Sequence, residues 1–127
     1  GYYPIWKSEY EIFVKAQAEA LKQKDFSSVA YVNALTYQMI FEQPVLYEFD
    51  SLKVSAFFMV GSLDRTIVGT DLLSKEKQKF HGNFPELAKS AGKKIKNCKV
   101  VILPGIGHIP HIQNFELFKN TLVQFLK

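Results

Sequence analysis

Two short apolar runs, each ended by glycine or by proline-glycine, organise the hydrophobic pattern of this chain. Residues 54–60 stop at Gly61, and residues 100–103 stop at Pro104-Gly105. The spacing of the apolar residues alone does not distinguish a short buried strand from a helical segment. The short length, the β-branched residues and the abrupt stops favour two strands of a parallel sheet.

The remaining pattern predicts helices on either side of these strands. Ser8 and Glu11 have the spacing of a capping box, which predicts a helix over 8–24. Ser27 or Ser28 is expected to cap a second helix. Further along, the pattern predicts an extended piece at 45–49, one or two helical turns at 72–80, a helix that starts at Pro85 and stops at Gly92, and a last helix at 115–126.

The predicted order is helix, helix, strand, helix, strand, helix. A strand–helix–strand unit fits a right-handed crossover between parallel strands. Parallel sheets need cover on both faces, and two parallel strands make a poor free-standing sheet. The pattern therefore predicts an α/β chain that carries one end of a larger sheet.

A carboxylate and a histidine follow the two predicted strands. Asp64 comes shortly after Gly61, and His108 comes shortly after Gly105. Open α/β sheets place their chemistry at the carboxyl ends of the strands, so both side chains are expected at one edge. Asp64 would then hold the Nδ1–H of His108 and leave Nε2 as a base. The alternatives are a loop histidine bonded to a carbonyl and an aspartate that only shapes a turn.

Composition narrows the function classes. At 127 residues the chain is one domain at most, with a formal net charge of +4. Arg65 is the one arginine among the 16 basic residues, and it either pairs with a carboxylate or stays solvated. Nucleic-acid readers lean on arginine, so the lysine excess is interpreted as a solvated surface and no nucleic-acid partner is expected.

Cofactors, metals and membranes are not expected either. Cys98 is alone, so we interpret it as a small buried hydrophobe. Three histidines without an acidic cluster make a zinc site improbable, and His111 is expected to pack on or cap the last helix. Gly105-x-Gly107 lacks the third glycine of a dinucleotide loop. No apolar run is long enough to span a membrane, no signal peptide is recognisable, and localisation is not indicated.

The motifs together resemble the C-terminal third of an α/β-hydrolase. The resemblance rests on Gly61-x-x-Asp64, on Val101-x-Leu103-Pro104-Gly105-x-Gly107-His108-x-Pro110-His111, and on Phe115-Glu116-x-Phe118 with Phe125-Leu126. Residues 33–40, 43–49 and 64–66 further resemble a bacterial subgroup. The order of acid before histidine agrees with the Ser…Asp…His order of that fold.

The resemblance implies a fold and roles for two residues. It implies an α/β fold, specifically a partial α/β-hydrolase fold, with the last parallel strands, their flanking helices and a helical lid segment. Residues 1–50 would be lid helices and residues 51–127 the C-terminal part of the core. Asp64 would be the catalytic acid and His108 the catalytic base.

One departure limits what this chain is expected to do by itself. No serine lies in a Gly-x-Ser-x-Gly nucleophile elbow, and the oxyanion-hole loop is missing as well. We therefore interpret the chain as part of a serine-type hydrolase of small ester-like substrates that is inactive alone. An aspartate nucleophile in the missing half remains open. The alternative is a non-catalytic module that folds by dimerising or by pairing with an N-terminal partner.

Overall fold

The computed structural model describes residues 2–127, and these form two compact units. Residues 5–47 make one unit, and residues 2–4 with 48–127 make the other. The helices are α1 (Glu11–Ala20), α2 (Phe26–Glu42), α3 (Lys75–Gln78), α4 (Phe84–Gly92), α5 (Pro110–Gln113) and α6 (Phe115–Leu126), and the strands are β1 (Ala56–Gly61) and β2 (Cys98–Leu103). No helix within residues 2–127 is long and apolar enough to cross a membrane.

The unit of residues 5–47 is helical, but neither helix begins as predicted. Ser8–Tyr10 forms a 3₁₀ turn that leads into α1, and Tyr10 already has helical dihedral angles. The residue before α1 is thus Tyr10 and not Ser8, and a side-chain cap needs a non-helical residue there. The capping box of Ser8 and Glu11 therefore does not form. In α2 the carbonyl of Asp25 accepts from the N–H groups of Ser28 and Val29, which places both serines inside the helix.

The other unit is built on the two predicted strands. β1 and β2 are parallel neighbours, in a register that pairs Ala56 with Cys98 and Gly61 with Leu103. Helix α4 provides the crossover between them, as the sequence pattern predicts. The prediction of an α/β chain with a parallel sheet is confirmed.

Helices cover both faces of this sheet. Side chains alternate along a strand, so Phe57 and Phe58 point to opposite faces. Phe57 stacks on Phe125 of α6, with ring centroids 4.5 Å apart. On the other face, α4 approaches so closely that a Cβ atom on Gly92 would lie 2.5 Å from a methyl group of Val100. The strands therefore lie between α4 and α6.

Three local predictions for this region are wrong. Residues Val45–Ser51 form 3₁₀ turns and not an extended piece, and these turns need no neighbouring strand to pair with. Gly92 does not stop α4 in a left-handed conformation; it is the last helical residue, and a small residue is needed there for the contact with β2. Pro85 is the second and not the first residue of α4.

Candidate functional site

The loops that carry Asp64 and His108 leave the sheet at the same edge. Gly61 and Leu103 are register partners, so β1 and β2 end side by side. Each strand is followed directly by its loop, which brings the two candidate residues together although 44 positions separate them. The parallel register is thus the structural cause of their proximity.

Three hydrogen bonds join the two loops below these side chains. The N–H of Ser62 donates to the carbonyl of Leu103 at 2.8 Å, and the N–H of Leu63 donates to the carbonyl of Ile106 at 2.9 Å. The N–H of Gly105 donates to the hydroxyl of Ser62, also at 2.9 Å. The loops therefore behave as one hydrogen-bonded platform.

Glycines allow this close approach. A Cβ atom at Gly61 would overlap the main chain of Ile106 and Gly107, and one at Gly107 would lie 2.5 Å from the carbonyl oxygen of Tyr2. Gly105 turns the chain at the end of β2 with a φ of 71°, a left-handed conformation that suits glycine. Gly61, which ends β1, thus lets the histidine loop lie against the aspartate loop, and Gly107 lets the histidine loop approach Tyr2.

Gly61→Ala is expected to destabilise the protein by about 3 kcal/mol, because main-chain atoms on both sides must move to admit the methyl group. Gly105→Ala is the matched control: its Cβ would meet no atom within 4 Å. That control changes only the backbone preference, which costs about 1 kcal/mol. Urea unfolding of both variants measures the difference, and equal losses would show that the overlap at Gly61 is unimportant.

Asp64 uses its two carboxylate oxygens for different purposes. Oδ2 lies 2.9 Å from Nδ1 of His108, and Oδ1 accepts a hydrogen bond from the N–H of Thr66 at 3.0 Å. The residue is only 5% exposed. Asp64 therefore shapes a turn, the alternative role considered from the sequence, and also contacts the histidine. Because both oxygens have partners, the carboxylate has a defined orientation.

Arg65 contacts main-chain atoms at this turn. Its guanidinium donates to the carbonyl of Asp64 at 2.6 Å and, more weakly, to the carbonyl of Ser62 at 3.5 Å. Arg65 is exposed, so it is solvated as one of the two sequence interpretations expected, and its hydrogen bonds go to these carbonyl groups. The Arg65 guanidinium therefore stabilises the turn that carries Asp64.

His108 is held through its main chain and its ring. Its N–H donates to the carbonyl of Tyr2 at 2.9 Å, and its ring lies 5.4 Å from the ring of Tyr2 and 5.7 Å from that of Phe84, measured between centroids. The side chain is 36% exposed, against 6% for that of Asp64. Nε2 has no hydrogen-bond partner within residues 2–127. One nitrogen is therefore anchored while the other is available to a substrate or a nucleophile.

This arrangement is suited to proton transfer. A carboxylate that accepts from Nδ1–H selects one tautomer, which leaves a lone pair on Nε2, and it stabilises the imidazolium formed when Nε2 takes a proton. A metal role has no support in the described part of the chain, where no three histidine, cysteine, aspartate or glutamate side chains group as a metal site.

The other residues considered from the sequence lie outside this pair. The ring of His111 lies 5.8 Å from that of Phe118, so it packs on α6, while Asn114 caps that helix by accepting from the N–H of Leu117. Cys98 lies at the start of β2, and burial raises the pKa of its thiol. The sequence did not indicate Tyr2, whose contact is made by a main-chain carbonyl and leaves no side-chain pattern.

The raised pKa of Cys98 predicts slow alkylation that accelerates with pH. The thiolate is the reactive form, so a raised pKa lowers its fraction at neutral pH. Iodoacetamide is expected to modify Cys98 more slowly than it modifies glutathione at about pH 7.5, with the rate still rising above about pH 9. Intact-mass time courses measure this, and a rate at neutral pH above that of glutathione would contradict it.

One solved structure that is similar to this chain also bears on its function. A probable hydrolytic enzyme from Pseudomonas aeruginosa superposes with a TM-score of 0.90 and 38% sequence identity, over 99% of this chain and 41% of that chain. This chain is similar to part of a probable hydrolase. It spans about two fifths of the neighbour's length, as the covered share of 41% shows. No family model matches the chain, and a search of the curated proteins finds no match.

Proposed function

We propose that this chain is the C-terminal part of a serine-type α/β-hydrolase that cleaves ester-like bonds of a small molecule. The observation that carries the proposal is the 2.9 Å contact between Nδ1 of His108 and the buried carboxylate of Asp64 at the carboxyl edge of a parallel sheet. That pair is the acid and base half of a catalytic triad. The similarity to part of a probable hydrolytic enzyme supports the coarser part of the proposal, that the chain is a fragment of a hydrolase.

The architecture also supports an α/β-hydrolase fold. Parallel strands are usually buried on both faces. Here Ala56 to Val60 are only half-buried, although α4 and α6 lie on opposite faces of the sheet. Further strands and helices beside β1 would bury these residues. Within this proposal residues 51–127 are the end of the hydrolase core, and residues 1–50 with α1 and α2 are its lid.

The proposed reaction divides between this chain and the rest of the protein. A serine from the other part attacks the ester carbonyl while Nε2 of His108 takes its proton, and Asp64 stabilises the resulting imidazolium. His108 then gives that proton to the departing alkoxide, leaving an acyl-serine. In the second half His108 takes a proton from water, the hydroxide attacks the acyl carbonyl, and the proton returns to the serine oxygen.

The test uses the longest protein that carries this chain. We expect it to hydrolyse p-nitrophenyl acetate and butyrate, and we expect an acyl-serine adduct by mass spectrometry after rapid quenching. Turnover of epoxides or haloalkanes, with an adduct on aspartate, would replace the serine by an aspartate nucleophile. No turnover of any of these substrates would contradict the hydrolase proposal.

A second candidate is a non-catalytic module that folds by dimerising or by pairing with an N-terminal partner. It is favoured by the apolar surface of α2, where Ile40 is 57% and Phe41 86% exposed, and none of its residues is buried. Apolar patches of this kind mark interaction surfaces. Light scattering on the purified chain separates the two candidates: a stable dimer supports the module, and a monomer argues against it.

A further inference from the structure

The side chain of Gln113, the last residue of α5, bridges the loop that precedes His108. Its Oε1 accepts from the N–H of Gly107 at 2.8 Å, and its Nε2 donates to the carbonyl of Gly105 at 3.1 Å. One amide group thus binds the main chain on both sides of Ile106. Only one orientation of the amide satisfies both contacts, because an N–H needs an acceptor and a carbonyl needs a donor.

The loop needs such a restraint because of its composition. Two of the three residues between Pro104 and His108 are glycines, and glycine has the greatest backbone freedom of any residue. A catalytic side chain must be held within about 0.5 Å of its working position. The platform bonds hold the early part of the loop, and Tyr2 binds the N–H of His108 itself. The carbonyl of the Ile106–Gly107 peptide accepts from Leu63, and Gln113 holds the N–H side of the same peptide together with the carbonyl of Gly105.

We propose that Gln113 is a positioning residue that clamps Gly105 and Gly107 and thereby keeps Nδ1 of His108 on the carboxylate of Asp64. It acts through the loop and does not touch the reacting atoms. A carboxylate would be a poorer clamp, since its second oxygen would face the Gly105 carbonyl with no hydrogen to donate. The catalytic consequence rests on the proposed function, whereas the effect on the histidine does not.

Two variants and one control test the clamp in the longest protein that carries this chain. Gln113→Leu keeps much of the volume and removes both hydrogen bonds. Gln113→Asn keeps the amide on a shorter arm that does not bridge both groups, and it covers the case that the leucine variant fails to fold. Asn114→Ala is the matched control, because it removes a side-chain hydrogen bond to the N–H of Leu117 from the adjacent residue without contacting the loop.

The primary readout is the tautomer of His108, seen in ¹⁵N–¹H correlation spectra at about pH 8. We expect a single Nδ1–H tautomer in the wild type and in Asn114→Ala. In both Gln113 variants we expect a second set of signals from the Nε2–H form. A single Nδ1–H tautomer in both Gln113 variants would overturn the proposal, as would the same mixture in Asn114→Ala.

The second readout is hydrolysis of p-nitrophenyl butyrate. We expect Gln113→Leu to lower kcat by about 10²-fold, the loss typical of a misplaced catalytic group. KM should change by less than about twofold, because the clamp contacts no substrate. Unchanged kcat in both Gln113 variants of an active enzyme would overturn the catalytic part. If the wild type hydrolyses nothing, the proposed function fails, and the tautomer spectra alone decide the clamp.

Discussion

Replacing His108 by alanine is expected to lower kcat of the proposed intact hydrolase by about 10⁶-fold, with little change in KM. The imidazole is half-exposed at this sheet edge, and a buried carboxylate holds its other nitrogen at 2.9 Å, so Nε2 is placed to accept a proton. Without it the proposed serine must attack as an undissociated hydroxyl, because no base takes its proton. Steady-state hydrolysis of p-nitrophenyl butyrate measures the loss.

His111→Ala is the matched control for this prediction. His111 lies three positions further along, but its ring packs against Phe118 and is not bonded to Asp64. Its removal is expected to leave kcat within about threefold of the wild type, as for substitutions outside the catalytic group. Esterase activity of His108→Ala near the wild-type level would remove His108 from the role of base. Equal losses in both variants would indicate a damaged fold.

The strands and the candidate pair were predictable from the sequence because their signals are local. An apolar β-branched run and a glycine stop are readable without knowledge of the partner strand, and parallel pairing then places Asp64 and His108 at one edge. The last helix was predictable for the same reason, since its apolar face repeats with the helical period. These features depend on periodicity and on conformational rules for glycine and proline.

The features that the sequence did not reveal depend on contacts between distant main-chain atoms. The carbonyl of Tyr2 binds the N–H of His108, yet any residue at position 2 carries such a carbonyl. Gln113 binds two main-chain groups of the loop, and a lone glutamine has no pattern that distinguishes this role from solvation. The serine caps failed because the chain enters both helices already close to helical dihedral angles. The two contacts leave no pattern in the sequence, and the caps depend on backbone dihedral angles that the spacing of serine and glutamate does not determine.

Asp64→Asn is expected to lower kcat by about 10⁴-fold through the tautomer of His108 rather than through the fold. Oδ1 of Asp64 accepts from the N–H of Thr66, and Oδ2 faces Nδ1 of His108. The introduced amide must keep its oxygen on Thr66, since that N–H needs an acceptor. Its NH₂ group then faces Nδ1, which becomes the acceptor and moves the ring proton to Nε2. A protonated Nε2 cannot act as the base.

Two measurements separate this explanation from simple loss of stability. The amide has nearly the shape of the carboxylate, so urea unfolding should change by no more than about 1 kcal/mol. The ¹⁵N spectrum should show His108 as the Nε2–H tautomer. Asp71→Asn, which alters an exposed carboxylate in the 3₁₀ turn Thr70–Leu72, is the control and should leave both kcat and the tautomer unchanged. If Asp64→Asn retains the Nδ1–H tautomer and full kcat, the carboxylate does not orient the base.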